Sequence, residues 1–529
     1  MTLAARLPAF TWDRLGVLRE KASLHQNGIT DLSMGTPVDP VPDVVQAALS
    51  AAADWPGYPA TRGTAELRSA ASGWLERECG VSVAPDDVLP VVGTKEFIAT
   101  LPFHLGLGPG DLVVHPAVAY PTYDVGARLA GASVLPSDNL LAVGPATPGL
   151  VWVNSPSNPT GQVLPVAHLR KVVSWARSRG CVVASDECYI TLGWAGEPPV
   201  SILHPSVCDG SFEGLLAVHS LSKRSNLAGY RAGFVTGDPA LVASLLEIRK
   251  HAGLIMPGPV QAALTAALQD DAHAALQRAR YEGRRAVLAD AFTTAGWTID
   301  HSGAGLYLWL THPDYDCWAA AELLASSCGI LVAPGELYGP GGARHVRVAL
   351  TGTDERVSLA AAEIKKLAVA LGAMDDEFQI SYEGVTLGVP VLTKDGEEFG
   401  ILEHVLAVEE EDIFEGIVVW VGGGGWVARK VQRELSMGHQ SAAQFLETFR
   451  HNDLRFVPAD KVAMITVGYI RCDLDRSEAG LLRPPASAPV FYANAIDQAG
   501  PDQPRQELYT DRYGHRMYRT IFGAQWRQE

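Results

Sequence analysis

Lys223 stands in the run His219-Ser-Leu-Ser-Lys-Arg-Ser-Asn-Leu-Ala-Gly-Tyr-Arg-Ala-Gly233, framed by the hydroxyls of Ser220 and Ser222 and followed by Arg231 in a glycine-rich setting. A primary amine so placed can form a Schiff base with a carbonyl group, while small hydroxyls and a guanidinium hold a phosphate. Taken alone, a lysine in a surface loop is the blander reading, because SxSK is a weak motif. Asn154-Ser-Pro-Ser-Asn-Pro-Thr-Gly161 offers Asn158, whose amide can donate to an oxygen on a bound ring or simply belong to an Asn-Pro turn. Ser185-Asp-Glu-Cys-Tyr189 closes a β-branched run and sets Asp186 and Tyr189 at a strand's carboxyl end. A carboxylate buried there needs a cationic partner to stay ionised, and a protonated pyridine nitrogen would be one. In Val91-Val-Gly-Thr-Lys-Glu96, a strand-to-helix turn leaves backbone N–H groups at Thr94 and Lys95 free for a phosphate.

These residues need elements to position them. From Pro42 to about Leu371, helical apolar spacing alternates with short β-branched runs such as Asp111-Leu-Val-Val-His115, Gly149-Leu-Val-Trp-Val-Asn154 and Cys181-Val-Val-Ala-Ser185. That is the pattern of an α/β domain with a mainly parallel sheet, and ligands in such sheets bind beyond the carboxyl ends of the strands. At 529 residues the chain is too long for a single core, so two or three domains are expected. A boundary is placed near Ala373, where an alanine-rich helical segment gives way to Met374-Asp-Asp-Glu377 and then to strand-like alternation. Met374 is read as a linker methionine or as the trace of two joined reading frames.

With 47% hydrophobic and 19% charged residues the composition is that of a globular protein. A formal net charge of −17 argues against general affinity for nucleic acid or anionic lipid, so any anion site must be local. The seven cysteines show no CxxC and no Cys/His cluster, so no metal site is expected. The N-terminus lacks a signal-peptide core and no run is long enough to span a membrane, which makes the cytoplasm the expected compartment.

Taken together, GTKE, AYPTY, NSPSNPTG, SDECY, SLSK and GYRAG resemble, in that order, the motifs of the fold-type I, class I/II aminotransferases that use pyridoxal 5'-phosphate (PLP), over about residues 30–370. Leu32-Ser-Met-Gly-Thr-Pro-Val-Asp-Pro-Val-Pro42, with GTKE, AYPTY and SLSKRSNL, looks most like the actinobacterial N-succinyldiaminopimelate aminotransferases of the lysine and diaminopimelate pathway. The resemblance implies a large, mainly parallel-sheet domain at about residues 50–275 and a small α+β domain built from 1–49 and 276–373. It implies that Lys223 holds the cofactor and, once displaced, shuttles the substrate's proton. Asp186 would pair with the ring nitrogen, Asn158 and Tyr189 would bond the ring's phenolic oxygen, and Tyr120 would stack on its face. Ser220, Ser222, Arg231 and the amides of Thr94 and Lys95 would take the phosphate, with Tyr58 reaching it from the neighbouring subunit of a homodimer. Arg347 would clamp the substrate α-carboxylate, with the backbone at Gly35 nearby. Glu96 either faces solvent or reads a substrate's distal group, and Cys188 is read as packing. The implied activity moves the amino group of L-glutamate to a keto acid, N-succinyl-2-amino-6-oxopimelate first among them. Another amino-acid aminotransferase, a carbon–sulfur lyase, or a non-catalytic scaffold with a retained aminotransferase-like domain are the alternatives.

The second part of the chain is the more acidic. Lys394-Asp-Gly-Glu397 reads as a hairpin turn between Val389-Pro-Val-Leu392 and Phe399-Gly-Ile-Leu402, and with Leu454 to Ile465 these pieces resemble the PRC-barrel class of adaptor domains. A separate small β-rich, barrel-like domain is therefore expected over 374–480, with a loosely ordered tail over 481–529. Gly422 to Gly425 lacks the Lys-Ser/Thr that would make it a P-loop and reads as a loop.

Overall fold

A computed structural model of the chain describes residues 3–377, 389–408, 413–421, 454–465 and 469–483, together with four two-residue strands beyond them. The chain divides into two compact units, Met1–Ala368 and Val369–Glu529.

The first unit is organised by a seven-stranded mixed sheet. Its strands are β1 (Val88–Val92), β2 (Leu112–His115), β3 (Ser133–Pro136), β4 (Leu150–Asn154), β5 (Val182–Asp186), β6 (Leu215–Ser220) and β7 (Ala232–Gly237). In space they run β1-β7-β6-β5-β4-β2-β3. All neighbours are parallel except β7, which is antiparallel to both β1 and β6. The exception has a chain-length cause. Parallel strands need a crossover of about a dozen or more residues, usually a helix. Helices such as Val166–Arg177 supply that between the parallel strands, whereas only Leu221–Arg231 joins β6 to β7. Every residue of β4, β6 and β7 is buried, as strands covered on both faces must be. One face packs Val183, Leu215, Ala217 and Phe234 against Trp74 and Leu75; the other packs Ala184, Leu216, Val218 and Val235 with Trp152, Tyr123 and Phe97.

A four-stranded antiparallel sheet runs β10-β11-β9-β8, from β8 (Thr298–Asp300), β9 (Tyr307–Thr311), β10 (Ala333–Pro334) and β11 (His345–Ala349). The helices Ala272–Thr294, Cys317–Cys328 and Asp354–Glu377 accompany it. Thr30–Asp31 pairs in parallel with Ile330–Leu331, which ties the N-terminal segment to this part of the unit. The helix from Asp354 runs through the position expected to be a boundary at Ala373.

In the second unit six of the described strands form one sheet in the order Leu454–Pro458, Ile413–Trp420, Glu398–Val408, Pro390–Leu392, Ile470–Cys472, Val462–Ile465, and the four two-residue strands pair two by two. Lys394-Asp-Gly-Glu397 makes the expected turn, with Gly396 at φ +83°. Gly422 to Gly425 and most of the 481–529 segment lie outside the described residues. Among the described residues no helix is long and apolar enough to cross a membrane.

Candidate active site

The site forms where β5 and β6 end. Asp186, the last residue of β5, is 5% exposed. Its Oδ2 accepts from the Tyr123 hydroxyl at 2.8 Å and its Oδ1 from the Cys188 backbone N–H at 3.2 Å. Asn154 at the end of β4 donates to the Asp186 carbonyl at 2.9 Å and accepts from the Asn158 backbone N–H at 2.7 Å, so the Asn158 loop is fastened to the same strand end. Burial pushes the Asp186 carboxyl above the usual carboxylate range, against the pull of its donors. Among the described residues no cation is ion-paired with it. A cationic ring nitrogen is the chemistry that this donor set lacks.

Lys223 lies in the one-turn helix Leu221–Arg224 directly after β6, whose last residue, Ser220, caps the turn by accepting from the Ser222 N–H at 3.2 Å. The Lys223 amine donates to the Gly35 carbonyl. Burial lowers its pKa, which raises the fraction present as the free base. Lys223 and Asp186 both act electrostatically on the Cys188 thiol, which sets the amine and the carboxylate near the same side chain. The Cys188 Sγ also meets the Thr94 hydroxyl at 3.5 Å.

The phosphate end is built by close approach. Gly93 has φ +76° and precedes the helix Thr94–His104, and a Cβ there would collide with the Arg231 guanidinium. Arg231 itself sits at φ +55°. Its guanidinium thus lies over the helix N-terminus, where backbone N–H groups are unsatisfied. Lys95 has a lowered pKa, chiefly from burial and then from Arg231, and among the described residues neither cation is in an ion pair. Two unneutralised cations at a helix N-terminus fit a phosphate.

The third wall centres on Arg347 in β11. The arginine is 2% exposed, which rules out a surface-strand role. Its Nη1 donates to Asn158 Oδ1 at 2.8 Å and its Nη2 to the Ser33 carbonyl at 2.5 Å. The guanidinium lies 4.0 Å from the Tyr307 ring centroid, 4.8 Å from Tyr338 and 5.5 Å from Trp12. Tyr307 and Tyr189 share a hydroxyl contact of 3.0 Å. A Cβ at position 35 would strike the Tyr307 hydroxyl, so Gly35 must be glycine for that ring to sit where it does.

Thus Lys223, Asp186, Asn158, Tyr189, Ser220, Ser222, Thr94, Lys95, Arg231, Arg347 and Gly35 converge, as do the half-buried Tyr120 and its edge-on neighbour Tyr123 at 5.8 Å. Tyr58 does not join them: it is 99% exposed on an exposed run from Ala53. Glu96 takes neither expected role, for its carboxylate accepts both Arg249 Nη atoms at 3.0 and 2.9 Å, and Arg249 is fully buried. Tyr123, Tyr307, Tyr338 and Trp12 were assigned no site role from the sequence. Tyr123 lay within the AYPTY run, but its bond to a residue 63 positions away is purely tertiary.

Residues 27–364 match the family model described as aminotransferase class I and II. A probable aminotransferase of Mycobacterium tuberculosis is 61% identical over 359 residues, covering 68% of this chain and 85% of its own length. The 4-dedimethylamino-4-oxo-anhydrotetracycline transaminase of Streptomyces rimosus is 56% identical over 358 residues, covering 68% of this chain and 99% of its own. Among solved structures, a probable N-succinyldiaminopimelate aminotransferase from Thermus thermophilus superposes with a TM-score of 0.61 at 28% identity, over 68% of this chain and all of that one.

Proposed function

Because the chain belongs to the class I and II aminotransferases, which are PLP-dependent transaminases, we propose that it moves the amino group of L-glutamate to an α-keto acid, with N-succinyl-2-amino-6-oxopimelate the foremost acceptor. The observation that carries the reading is that a buried amine with a lowered pKa, a buried carboxylate and a buried arginine are joined by one chain of contacts, Lys223 to Gly35 and Arg347 through Asn158 and Asn154 to Asp186. When bound, PLP supplies an aldehyde that condenses with amines and a protonated ring that accepts the electron pair released at the substrate's α-carbon.

The chain's residues do the rest. Asp186 holds the proton on the ring nitrogen, and Tyr123 with the Cys188 N–H keeps its carboxylate aimed and ionised. Lys223 Nζ would carry the proton between the substrate α-carbon and the cofactor C4′, a shuttle favoured by its easily deprotonated state. Arg347 presents a planar fork to the α-carboxylate, and Asn158, bonded to it, ties that clamp to the ring's oxygen. Ser220, Ser222, Arg231 and the N-terminal amides of the Thr94 helix hold the phosphate. Tyr189 tunes the ring oxygen and Tyr120 covers the ring face. Tyr58, exposed in a single chain, reaches the phosphate of a neighbouring subunit in a homodimer.

The acceptor assignment is supported by the motif resemblance and by the Thermus likeness. A second acceptor class has its own support, since the Streptomyces relative is named for a keto-anhydrotetracycline. The test is direct. The purified yellow holoenzyme should bleach with L-glutamate and regain its colour with the succinylated oxo-acid; recovery only with a polycyclic ketone would favour the second class. Lys223→Ala should abolish both colour changes, and unchanged turnover would refute the lysine's role. The resemblance of the C-terminal part to a PRC-barrel suggests an adaptor module appended to the enzyme.

A further inference from the structure

The residues directly beyond Asp186 and before Ser220 form a second polar cluster on the opposite face of the sheet. Asp186 pairs with Val218 in the last rung between β5 and β6, so the next rung sets Glu187 beside His219. Side chains alternate between faces along a strand, which sends this pair away from the cofactor side. His219 packs edge-on to Trp74 at 5.3 Å and lies 5.1 Å from Phe234, both part of the core on that face. Glu187 and His219 are each 1% exposed. The mechanism above uses neither.

Buried polar atoms are almost always hydrogen-bonded, so a cluster of exceptions asks for an account. Glu187 Oε1 accepts from the Ile202 N–H at 2.8 Å and the Ser201 and Ser185 hydroxyls also act on the carboxyl, yet Glu187 Oε2 and both ring nitrogens of His219 are without a well-formed hydrogen bond. Glu187 Oε2 stands 3.6 Å from His219 Nε2. That gap is too narrow for a bridging water and within about 0.5 Å of a direct bond. Burial pushes the Glu187 carboxyl up to about 7, so a large share keeps its proton near neutral pH, and drives the His219 imidazole down to about 3, so it is neutral. A neutral acid has one proton to give, and a neutral imidazole has one lone pair to receive it.

We propose that Glu187 and His219 are a positioning pair, a carboxylic acid donating to an imidazole across the ends of β5 and β6, which sets the spacing between Asp186 and the Ser220–Lys223 turn. The inference rests on the roles assigned above to Asp186, Ser220 and Lys223. The charged and titratable groups around the pair are Asp186 on its own strand, Arg224 from the lysine turn, and Cys79 at the end of the helix Ala65–Cys79. Arg224 is engaged elsewhere, donating to Asp271 and the Ala267 carbonyl at 2.8 Å, so it does not neutralise Glu187.

Substitution separates the neutral donor from a charge. Gln at 187 can accept from Ile202 and donate to His219, reproducing the acid but not the carboxylate; Leu fills the space and donates nothing. The holoenzymes of Glu187→Gln and Glu187→Leu are compared with the parent for PLP release and for the pH titration of the visible absorbance band. The Gln variant should release PLP within about twofold of the parent with the same spectrum, whereas the Leu variant should release it about tenfold faster, the equivalent of one hydrogen bond. Its spectral titration should also be displaced, which general destabilisation would not produce. Equal PLP release and titration in all three proteins overturns the proposal, as does a Gln variant as damaged as Leu. Should the Leu variant not fold, infrared difference spectroscopy of the cofactor-free parent against Glu187→Gln decides the matter. A protonated carboxyl band near neutral pH, lost in the variant, supports the pair; its absence refutes it irrespective of how PLP is bound.

Discussion

Replacing Arg347 by lysine keeps the positive charge and removes the fork. The charge itself should stay, because the three aromatic faces of Tyr307, Tyr338 and Trp12 that surround the guanidinium can hold an ammonium as well. What is lost is one of two parallel charge-assisted bonds to the α-carboxylate, since an ammonium is a point donor. Such a bond is worth about 1.5–3 kcal/mol, or about 10- to 150-fold in kcat/KM. The bond from Nη1 to Asn158 at 2.8 Å is lost as well, which frees Asn158 and places the expected loss toward the upper end. Each half-reaction is followed by single-turnover absorbance, L-glutamate with the yellow enzyme and keto acid with the bleached one. Donor and acceptor both present an α-carboxylate, so both half-reactions should slow by a similar factor while PLP content is unchanged. If only one slows, or if both change by less than about threefold, Arg347 is not the carboxylate clamp.

Two further outcomes follow from the buried carboxyls. Tyr123→Phe removes the 2.8 Å donor that holds the Asp186 carboxyl down against burial, so that carboxyl rises further. The acid limb of the kcat/KM profile should move to higher pH, and superimposable profiles would show that Tyr123 does not support the carboxylate. Glu187, pushed up to about 7 by burial, keeps its proton in the folded chain while the unfolded chain sheds it near its ordinary value of 4.5. Its stabilising contribution is complete below 4.5 and is lost as pH rises to 7, by at most about 1.4 kcal/mol per unit. The stability of the parent relative to Glu187→Gln, from denaturant melts, should fall across that window and flatten above it. A constant difference would contradict the buried acid.

The site was legible in the sequence to the extent that its chemistry is local. Lys223, Ser220, Ser222 and Arg231 fall within one short stretch because the lysine turn and the residues proposed for the phosphate occupy a single connection, from the end of β6 to the start of β7. Asp186 and Asn158 were found because strand ends are marked by where the β-branched runs stop. Tyr307 carries no such mark, as it starts an ordinary antiparallel strand and gains meaning only from the glycine at 35 that makes room for it. Glu96 was misread for a related reason: its partner Arg249 lies 153 residues on, in the helix Pro239–Ala252, and nothing near either residue announces the pairing. The antiparallel setting of β7 was legible in principle from the short connection alone, though the β-branched pattern by itself does not report strand direction.

The division of labour across the sheet explains why two adjacent acids can coexist at one strand end. In the proposed role Asp186 would be a carboxylate facing a cationic ring, and Glu187, one residue later, would repel it if it too were ionised at close range in a poorly screened interior. Alternation along the strand sends the two side chains to opposite faces, and the faces treat them differently. On one, Tyr123 and the Cys188 N–H donate to Asp186 and favour its charge. On the other, Glu187 also has donors, the Ile202 N–H and the Ser201 and Ser185 hydroxyls, but stands beside His219, which burial keeps neutral among Trp74 and Phe234. Burial raises both acids, and their donors and neighbours differ from one face of the sheet to the other, so the two carboxyls at one strand end need not titrate together.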